Sequence, residues 1–306
     1  MPPSARGARY DTGPWGPLPP RPRSLSVVAA AMPLVLTPRT AADRGPLSID
    51  LEGLTPARVA PLALTAINRL VIRADGRPCE LGSLFGVAGD PADAVIECRG
   101  DFSTVHRVAA GMTAGMVRVT GDVGRHAAEG MTGGRLEVAG NAGDWLAAEL
   151  AGGEVFVAGS AGDNLAGALP GSPIGMRGGV VVVAGAAGGL AGARMRRGIV
   201  AVGGDCGPAP AFELRAGTVV IGGAVGCQPG LGMRRGSVIA LTAQPAPPAS
   251  FRRGAAWRPA FLPLLLKRLA DAGFGPSMAA AVTVTAWRQW HGDTLAGGRG
   301  ELLHPA

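Results

Sequence analysis

Short runs of alternating apolar and mixed residues recur about every 19 residues between residues 95 and 242. The last residues of the six central runs are Val119, Val138, Val157, Val183, Val202 and Ile221. The second residue of each run is also apolar. The third residue varies in type, from charged, as in Arg118, to apolar, as in Val182. Alternation with a period of two is typical of a strand with one buried face. The pattern therefore predicts one short strand per repeat.

Glycines follow these runs at the same spacing. One set lies two residues after the end of each run, at Gly121, Gly140, Gly159, Gly185, Gly204 and Gly223, and another set closes each repeat, at Gly134, Gly153, Gly179, Gly198, Gly217 and Gly236. One interval is 26 residues instead of 19, because seven residues are inserted near residues 169–175. Glycine tolerates positive φ and allows backbones to stack closely. We interpret these glycines as structural positions at the corners of stacked turns.

The repeat predicts an all-β protein of a particular kind. A strand and two glycine-rich corners within about 19 residues are typical of one turn of a parallel β-helix, a solenoid in which stacking supplies the core. Collagen is excluded because glycine does not occupy every third position. A disordered glycine-rich tract is excluded because the valine positions are too regular. We expect small mixed caps at both ends of the solenoid.

Four segments are predicted along the chain. Residues 1–31 are a disordered extension or reflect a start codon assigned too far upstream. Residues 32–92 form an N-terminal cap with a helix at 55–62 that is capped by Thr55 and has Pro56 at its first position, a strand at 66–72 and a turn at 80–85. Residues 93–242 form the β-helix. Residues 243–306 contain a linker, a helix at 261–273 and a strand at 282–290, which cap the far end or dock onto a partner.

Composition narrows the function classes. The net charge is +7, and Lys267 is the only lysine, so nearly all positive charge is arginine. Binding of nucleic acid is not expected, because neither a series of stacking aromatics nor a helix-turn-helix or zinc-finger spacing is present. No segment is long enough to span a membrane. Cys98 and Cys206 fall in inward-facing positions and are expected to be buried and unreactive, which suits a reducing cytoplasm.

Arginines form the most unusual polar file of the repeat. Arg177, Arg196, Arg215 and Arg234 each stand two residues before a closing glycine, and Arg197 and Arg235 add to the same side. Stacked turns would place these residues about 4.8 Å apart along one edge. The file is either a solvated edge or a docking strip for an acidic subunit or a polyanionic substrate tail. A docking strip predicts that charge reversal at two adjacent turns abolishes association without unfolding the chain.

Histidines and aspartates at the corners are the other candidates for chemistry. His106 and His126 occupy adjacent turns, and Asp122, Asp144 and Asp163 lie at nearby corners. Such pairs could serve acid–base or metal chemistry, but corner side chains of a solenoid usually cap backbone groups. The chain has no nucleophile elbow, zinc-protease motif or phosphate loop. We therefore predict neither a catalytic residue nor a metal site.

Several of these segments carry a family resemblance. Residues 121–134, residues 230–236 and the inserted Leu169-Pro170-Gly171 resemble the C subunit of formylmethanofuran dehydrogenase. The tail, at 251–266 and 298–302, makes the chain more similar to the corresponding subunit of the bacterial formyltransferase/hydrolase complex. The resemblance covers residues 46–303. The repeat alone is also similar to the C-terminal domain of the glutamate synthase large subunit. The tail, and the lack of an amidotransferase or flavin-binding region in this sequence, favour the complex subunit.

The resemblance implies a fold and a role. The fold is a right-handed parallel β-helix, and the subunit is non-catalytic, holding together an amidohydrolase-like subunit, a formyltransferase subunit and a further subunit. The implied setting is cytoplasmic one-carbon metabolism, in which a formyl group passes from tetrahydromethanopterin to a methanofuran-type carrier and is released as formate. No cofactor is expected on this chain. The partner subunits carry a zinc-type metal, and the archaeal relatives, which are oxidoreductases, have a tungsten- or molybdenum-pterin subunit.

Two alternatives stay open. The chain could be a stand-alone domain like that of glutamate synthase, which would have glutamine-handling partners. It could also be an independent β-helix enzyme acting on polysaccharides. Enzymes of that class need clustered carboxylates on one face of the solenoid, and the repeat positions show no such cluster.

Overall fold

A computed structural model describes residues 32–39, 48–242, 244–274 and 284–306. Within these ranges the strands form one sheet of 13 strands and a second sheet of 4 strands, and the helices are short. The predicted all-β class is therefore confirmed. None of the described helices is long and apolar enough to cross a membrane. The extension predicted at 1–31 lies outside the described residues.

The N-terminal part mixes short strands and single-turn helices. Its elements are β1 (Leu34–Pro38), β2 (Ile49–Asp50), α1 (Pro56–Val59), α2 (Leu64–Asn68), β3 (Val71–Ala74), β4 (Arg77–Glu80), α3 (Leu81–Leu84) and β5 (Phe85–Ala88). Strands β1 and β5 belong to the large sheet, and β2, β3 and β4 belong to the small one. Helix α1 begins as predicted, with Pro56 in its first turn after an extended Thr55, although the Thr55 side chain makes no capping hydrogen bond.

The strand predicted at 66–72 is wrong over most of its length. Residues up to Asn68 form α2, which buries Ile67, and Asn68 Nδ2 donates to the carbonyl of Leu64 at 2.8 Å. Strand β3 starts only at Val71 and pairs with β4 across a turn at Asp75 and Gly76, both with positive φ. The turn predicted at 80–85 contains α3. An Asp-Gly pair between two strands is a strong hairpin signal, and it marks the hairpin that the prediction at 66–72 did not include.

The repeat region stacks its strands in parallel. It contains β6 (Val95–Cys98), β7 (Val105–His106), β8 (Met116–Val119), β9 (Arg135–Val138), β10 (Glu154–Val157), β11 (Val180–Val183), β12 (Ile199–Val202), β13 (Thr218–Ile221) and β14 (Arg235–Ala240). Each strand from β8 to β14 pairs with the next at the predicted register, with Leu136 opposite both Val117 and Val155. A second parallel ladder of single bridges links Val123, Ala142, Ala161, Ala187, Cys206 and Val225. Neighbouring turns thus contact each other along two separate lines.

The inward positions of these turns form the main core. Val117, Leu136 and their equivalents are buried, together with most residues of the bridge ladder. Cys98 and Cys206 are only 1% and 4% exposed, as predicted. Burial raises the pKa of each thiol to about 12, so neither is a thiolate at neutral pH.

The C-terminal tail extends the large sheet. It contains β15 (Arg252–Trp257), α4 (Leu262–Asp271), β16 (Trp287–Gly292) and β17 (Arg299–Pro305). Strand β17 pairs in parallel with β14, and β16 and β15 follow in antiparallel order. The predicted helix at 261–273 is confirmed and is followed by Gly273 with φ of 90°. The strand predicted at 282–290 starts only at Trp287, and its residues 282–283 lie outside the described ranges.

Helix α4 covers part of the outer face of the sheet. Leu262, Leu266 and Leu269 pack in one buried cluster with outward residues of the repeat, among them Val182 and Val220. The alternation predicts that the outward-facing strand residues are mixed in type and more polar than the inward ones. Where α4 packs on them, these outward residues are apolar. The tail both extends the sheet beyond its last turn and covers one side of it.

Candidate functional site

A cavity of about 520 Å³ lies beside the last turns of the repeat. Its charged lining consists of six arginines, namely Arg196, Arg197, Arg215, Arg234, Arg235 and Arg299. The structure thus brings together five of the six arginines that the sequence singles out. Arg177 is exposed and does not line this cavity.

The backbone positions of the arginine file are set by the preceding turn. The amide of Arg196 donates to the carbonyl of Met176 at 2.8 Å, that of Arg215 to Met195 at 2.9 Å, and that of Arg234 to Leu214 at 2.7 Å. Each arginine therefore leaves the same point of its turn. The stacking of the repeat, and not side-chain pairing, creates the column of charge.

Arg299 joins the site from the tail. In the parallel pairing of β14 with β17, Arg299 lies directly opposite Arg235. The 19-residue spacing does not reveal it, because 64 residues separate the two arginines. A signal was present, since Arg235-Gly236 and Arg299-Gly300 are both followed by one residue and then by an apolar residue.

A short loop of the tail forms one wall of the cavity through Ala296 and Gly297. Asp293, which is only 2% exposed, holds this loop in place. Its Oδ1 accepts the amide of Leu295 at 2.9 Å, and its Oδ2 accepts the amide of Gly232 at 3.0 Å. Burial alone would raise the pKa of Asp293, but these amides, with help from Ser250, lower the pKa below its ordinary value.

The six arginines lack counter-charges. None of them is in an ion pair within the described ranges, and the cavity lining contains no carboxylate. Two like charges 4 Å apart in water repel by about 1 kcal/mol. An anion in this cavity could neutralise several guanidinium groups at once.

The corner aspartates, which the sequence offers as candidates for acid–base or metal chemistry, accept hydrogen bonds from backbone amides. Asp122 Oδ1 accepts the amide of Asn141 at 2.6 Å, one turn further on. Asp144 accepts the amide of Asp163 at 2.9 Å, and Asp163 in turn accepts that of Gly189 at 2.7 Å. These carboxylates therefore act as structural links between turns.

The two histidines are also engaged locally. His106 Nδ1 accepts the amide of Arg125 at 3.1 Å, and burial together with the charge of Arg125 lowers the pKa of His106. His126 lies with Nδ1 2.6 Å from a carboxylate oxygen of Glu129 and stacks on Trp145 with ring centroids 5.3 Å apart. Among the described residues, no group of three or more His, Cys, Asp or Glu side chains could hold a metal ion.

Two further cavities are less polar. One of about 510 Å³ lies on the outer face of the sheet beyond the end of α4, between Val138, Phe156 and Gly273. The other, of about 220 Å³, lies beside the inserted segment at Leu169 and Pro170. The first cavity is also lined by Arg118, Arg135, Glu137 and Asp271, but there both arginines pair with Glu137.

The fold and the site together define an all-β repeat protein with a strongly basic cavity at one end. No protein-family model matches the chain. A sequence comparison finds 35% identity over 80 residues with the C subunit of the formyltransferase/hydrolase complex of Methylorubrum extorquens. That match spans 26% of this chain and 30% of the relative's length.

A structural comparison extends the likeness to nearly the whole chain. A chain in the crystal structure of the formyltransferase/hydrolase complex of Methylorubrum extorquens, determined with methylofuran, is 34% identical to this protein with a TM-score of 0.81. The match covers 89% of this chain and 99% of that one. The chain therefore belongs to the family formed by the C subunits of formyltransferase/hydrolase complexes.

Proposed function

We propose that this chain is a non-catalytic subunit of a formyltransferase/hydrolase complex. Its role is to hold an amidohydrolase-like subunit, a formyltransferase subunit and a further subunit together. The observation that carries this proposal is the match to a chain of such a complex over 99% of that chain's length. A similarity limited to the glycine-rich repeat would not cover 89% of this chain, because the repeat makes up only about half of it.

The contacts of the corner side chains support a structural role. Asp122, Asp144 and Asp163 each accept an amide from the following turn, and Asn141 accepts that of Ser160 in the same manner. Side chains used in this way stabilise stacking and are not available to activate a substrate. The buried thiols of Cys98 and Cys206 are protonated and equally unsuited to nucleophilic chemistry.

The proposed scaffold is a right-handed parallel β-helix. Two parallel ladders run along the repeat, one through the strands and one through the bridge residues. Stacked coils of about 19 residues account for both ladders at once. A solenoid offers several long faces, which suits a subunit that contacts more than one partner.

Cofactors and setting belong to the same proposal. We expect this chain to bind no cofactor itself, whereas its partner subunits carry a zinc-type metal. The complex would act in the cytoplasm in one-carbon metabolism, on a formyl group carried by a methanofuran-type compound. The six arginines that we expect to dock an anion or a partner are Arg177, Arg196, Arg197, Arg215, Arg234 and Arg235.

Co-purification tests the proposed function. The tagged chain, isolated from its own cells, should bring an amidohydrolase-like and a formyltransferase-like chain with it. The assembled complex should show formyl transfer and hydrolysis, and the isolated chain should show neither. Recovery of the chain alone, with an activity of its own, would contradict the proposal and direct attention to His106 and His126.

A further inference from the structure

We propose that the arginine cavity binds an acidic peptide segment of a partner subunit and holds several of its carboxylates at once. This inference rests on the proposed function, because it takes the occupant from a neighbouring subunit of the complex. It identifies the cavity as one specific contact of the scaffold and gives the chemistry of the segment that enters it.

Charge pairing elsewhere in the chain supports this inference. Other exposed or half-buried arginines find carboxylates, since Arg118 lies 3.0 Å from Glu137, Arg194 lies 2.8 Å from Glu213, and Arg135 lies 3.1 Å from Glu154. The cavity instead collects six arginines without a carboxylate in its lining. Unpaired arginines also occur elsewhere in the described residues, among them Arg69, Arg73 and Arg77, so the distinguishing feature of this site is that six of them share one cavity.

The residues outside the described ranges are poor in negative charge. Outside the described ranges, the sequence contains only two carboxylates, Asp11 and Asp43, which are far apart in the sequence. These two isolated carboxylates could not neutralise six guanidinium groups, so we take the occupant of the cavity from another molecule.

The dimensions of the site favour an extended peptide. The arginines come from four stacked levels, represented by Arg196, Arg215, Arg234 and Arg299. Four levels about 4.8 Å apart span roughly 14 Å, a distance that an extended chain covers with about four or five residues at 3.3 Å each. A single small anion could reach only part of this column. Acidic side chains along one short segment could pair with most of it.

The backbone around the cavity is held by hydrogen bonds within the chain. The backbone of each file arginine is bonded to the preceding turn, and Asp293 holds the tail loop through Gly232 and Leu295. Arginine presents a planar fork that matches a carboxylate with two hydrogen bonds. A backbone that is already held in place reduces the entropy that binding would otherwise cost.

The first test measures binding of a fluorescently labelled octaglutamate peptide to the full chain at 50 mM salt. The variant Arg215→Gln/Arg234→Gln/Arg235→Gln should bind at least tenfold more weakly than the native chain. The matched control, Arg69→Gln/Arg73→Gln/Arg77→Gln, removes the same net charge from exposed arginines around β3 and β4 and should bind within twofold of the native chain. Equal weakening of both variants, or no binding by the native chain, would overturn the proposal.

The second test asks whether the occupant belongs to a partner subunit. Each variant is co-expressed with the partner subunits and isolated through a tag, after circular dichroism has verified an unchanged melting profile. The cavity variant should recover at least fivefold less of one partner, whereas the control recovers the native amount. Octaglutamate binding that depends on the cavity, combined with undiminished assembly, would rule out a subunit segment as the occupant. Failure of the native chain itself to recover any partner would instead refute the proposed function, which distinguishes the two failures.

Discussion

A methyl group added at Gly140 would lie 2.7 Å from the backbone carbonyl carbon of Gly121 in the preceding turn. The glycines after the strands are therefore needed for space, since their φ values are not in the left-handed region. The closing glycines meet a different need, because Gly153 and its equivalents adopt φ between 87° and 106°. Residues such as His126 and Trp145 also adopt positive φ at the corners. Histidine and tryptophan are not residue types that indicate positive φ, so the backbone conformation at these positions could not be predicted from the sequence.

Replacing Gly140 with alanine should lower the free energy of unfolding by about 1–3 kcal/mol, because backbone atoms of the preceding turn cannot move aside easily. The matched control is Gly86→Ala, where the added carbon would lie 3.7 Å from the carbonyl oxygen of Thr37, an ordinary contact. Urea denaturation of both variants measures the difference. Equal midpoints would show that space between turns does not limit this position.

Asp293→Asn should destabilise the tail loop, because an amide has only one accepting oxygen for the two amides that Asp293 now holds. We expect a loss of about 1–3 kcal/mol at pH 7. The folded pKa of Asp293 is below its ordinary value. Its carboxylate therefore stabilises the fold above the ordinary Asp pKa, and this contribution is lost as pH falls through the folded pKa.

The pH dependence of the Asp293→Asn effect provides its check. The stability gap between native chain and variant, measured by urea denaturation from pH 7 down to pH 3, should narrow below the ordinary Asp pKa. Asp271→Asn, at an exposed position at the end of α4, should show little effect at any pH. A gap that stays constant over the whole range would contradict the assigned role of the carboxylate.

Among the elements, the repeat strands were predictable and the N-terminal elements were not. The alternation in residues 116–119 recurs in every repeat and predicts the strands. Each strand packs its inward residues against the equivalent residues of the strands before and after it, so the same pattern is required in every copy. The segment around Ile67 does not recur in the sequence, so no copies of it indicate its conformation. In the structure this segment is a helix, and Ile67 is the buried residue of that helix. Local propensity is weak for such short elements, and tertiary packing decides them.

Leu266→Ala should lower the free energy of unfolding by about 2–4 kcal/mol, because Leu266 is 2% exposed and packs with the outward valines under α4. Leu264 on the same helix is 73% exposed, and Leu264→Ala should change stability by no more than about 0.5 kcal/mol. Chemical denaturation compares the two variants. Similar losses would mean that α4 is not held through its buried face.

At the scale of the whole molecule, the basic cavity could be predicted in part. The 19-residue spacing places Arg196, Arg215 and Arg234 in one column without any knowledge of the structure. The spacing gives no information about where the tail returns, so it does not place the loop held by Asp293, and only the pattern shared by residues 235–238 and 299–302 points to Arg299. Only the pairing of β17 with β14 turns an exposed column into a walled cavity.

The same pairing makes a prediction for the intact chain. Removal of residues 243–306 would leave β14 as an unpaired edge strand and would expose Val182, Val220 and Ile239, which now lie under α4. Unpaired apolar edges associate with other chains. The shortened chain should therefore self-associate at micromolar concentration, as measured by light scattering after size-exclusion chromatography. Within that shortened chain, Ile239→Lys places a charge on the edge strand and should reduce association. A monomeric shortened chain would show that the tail is not needed to cover the repeat, and its function would then lie in the cavity wall that it provides.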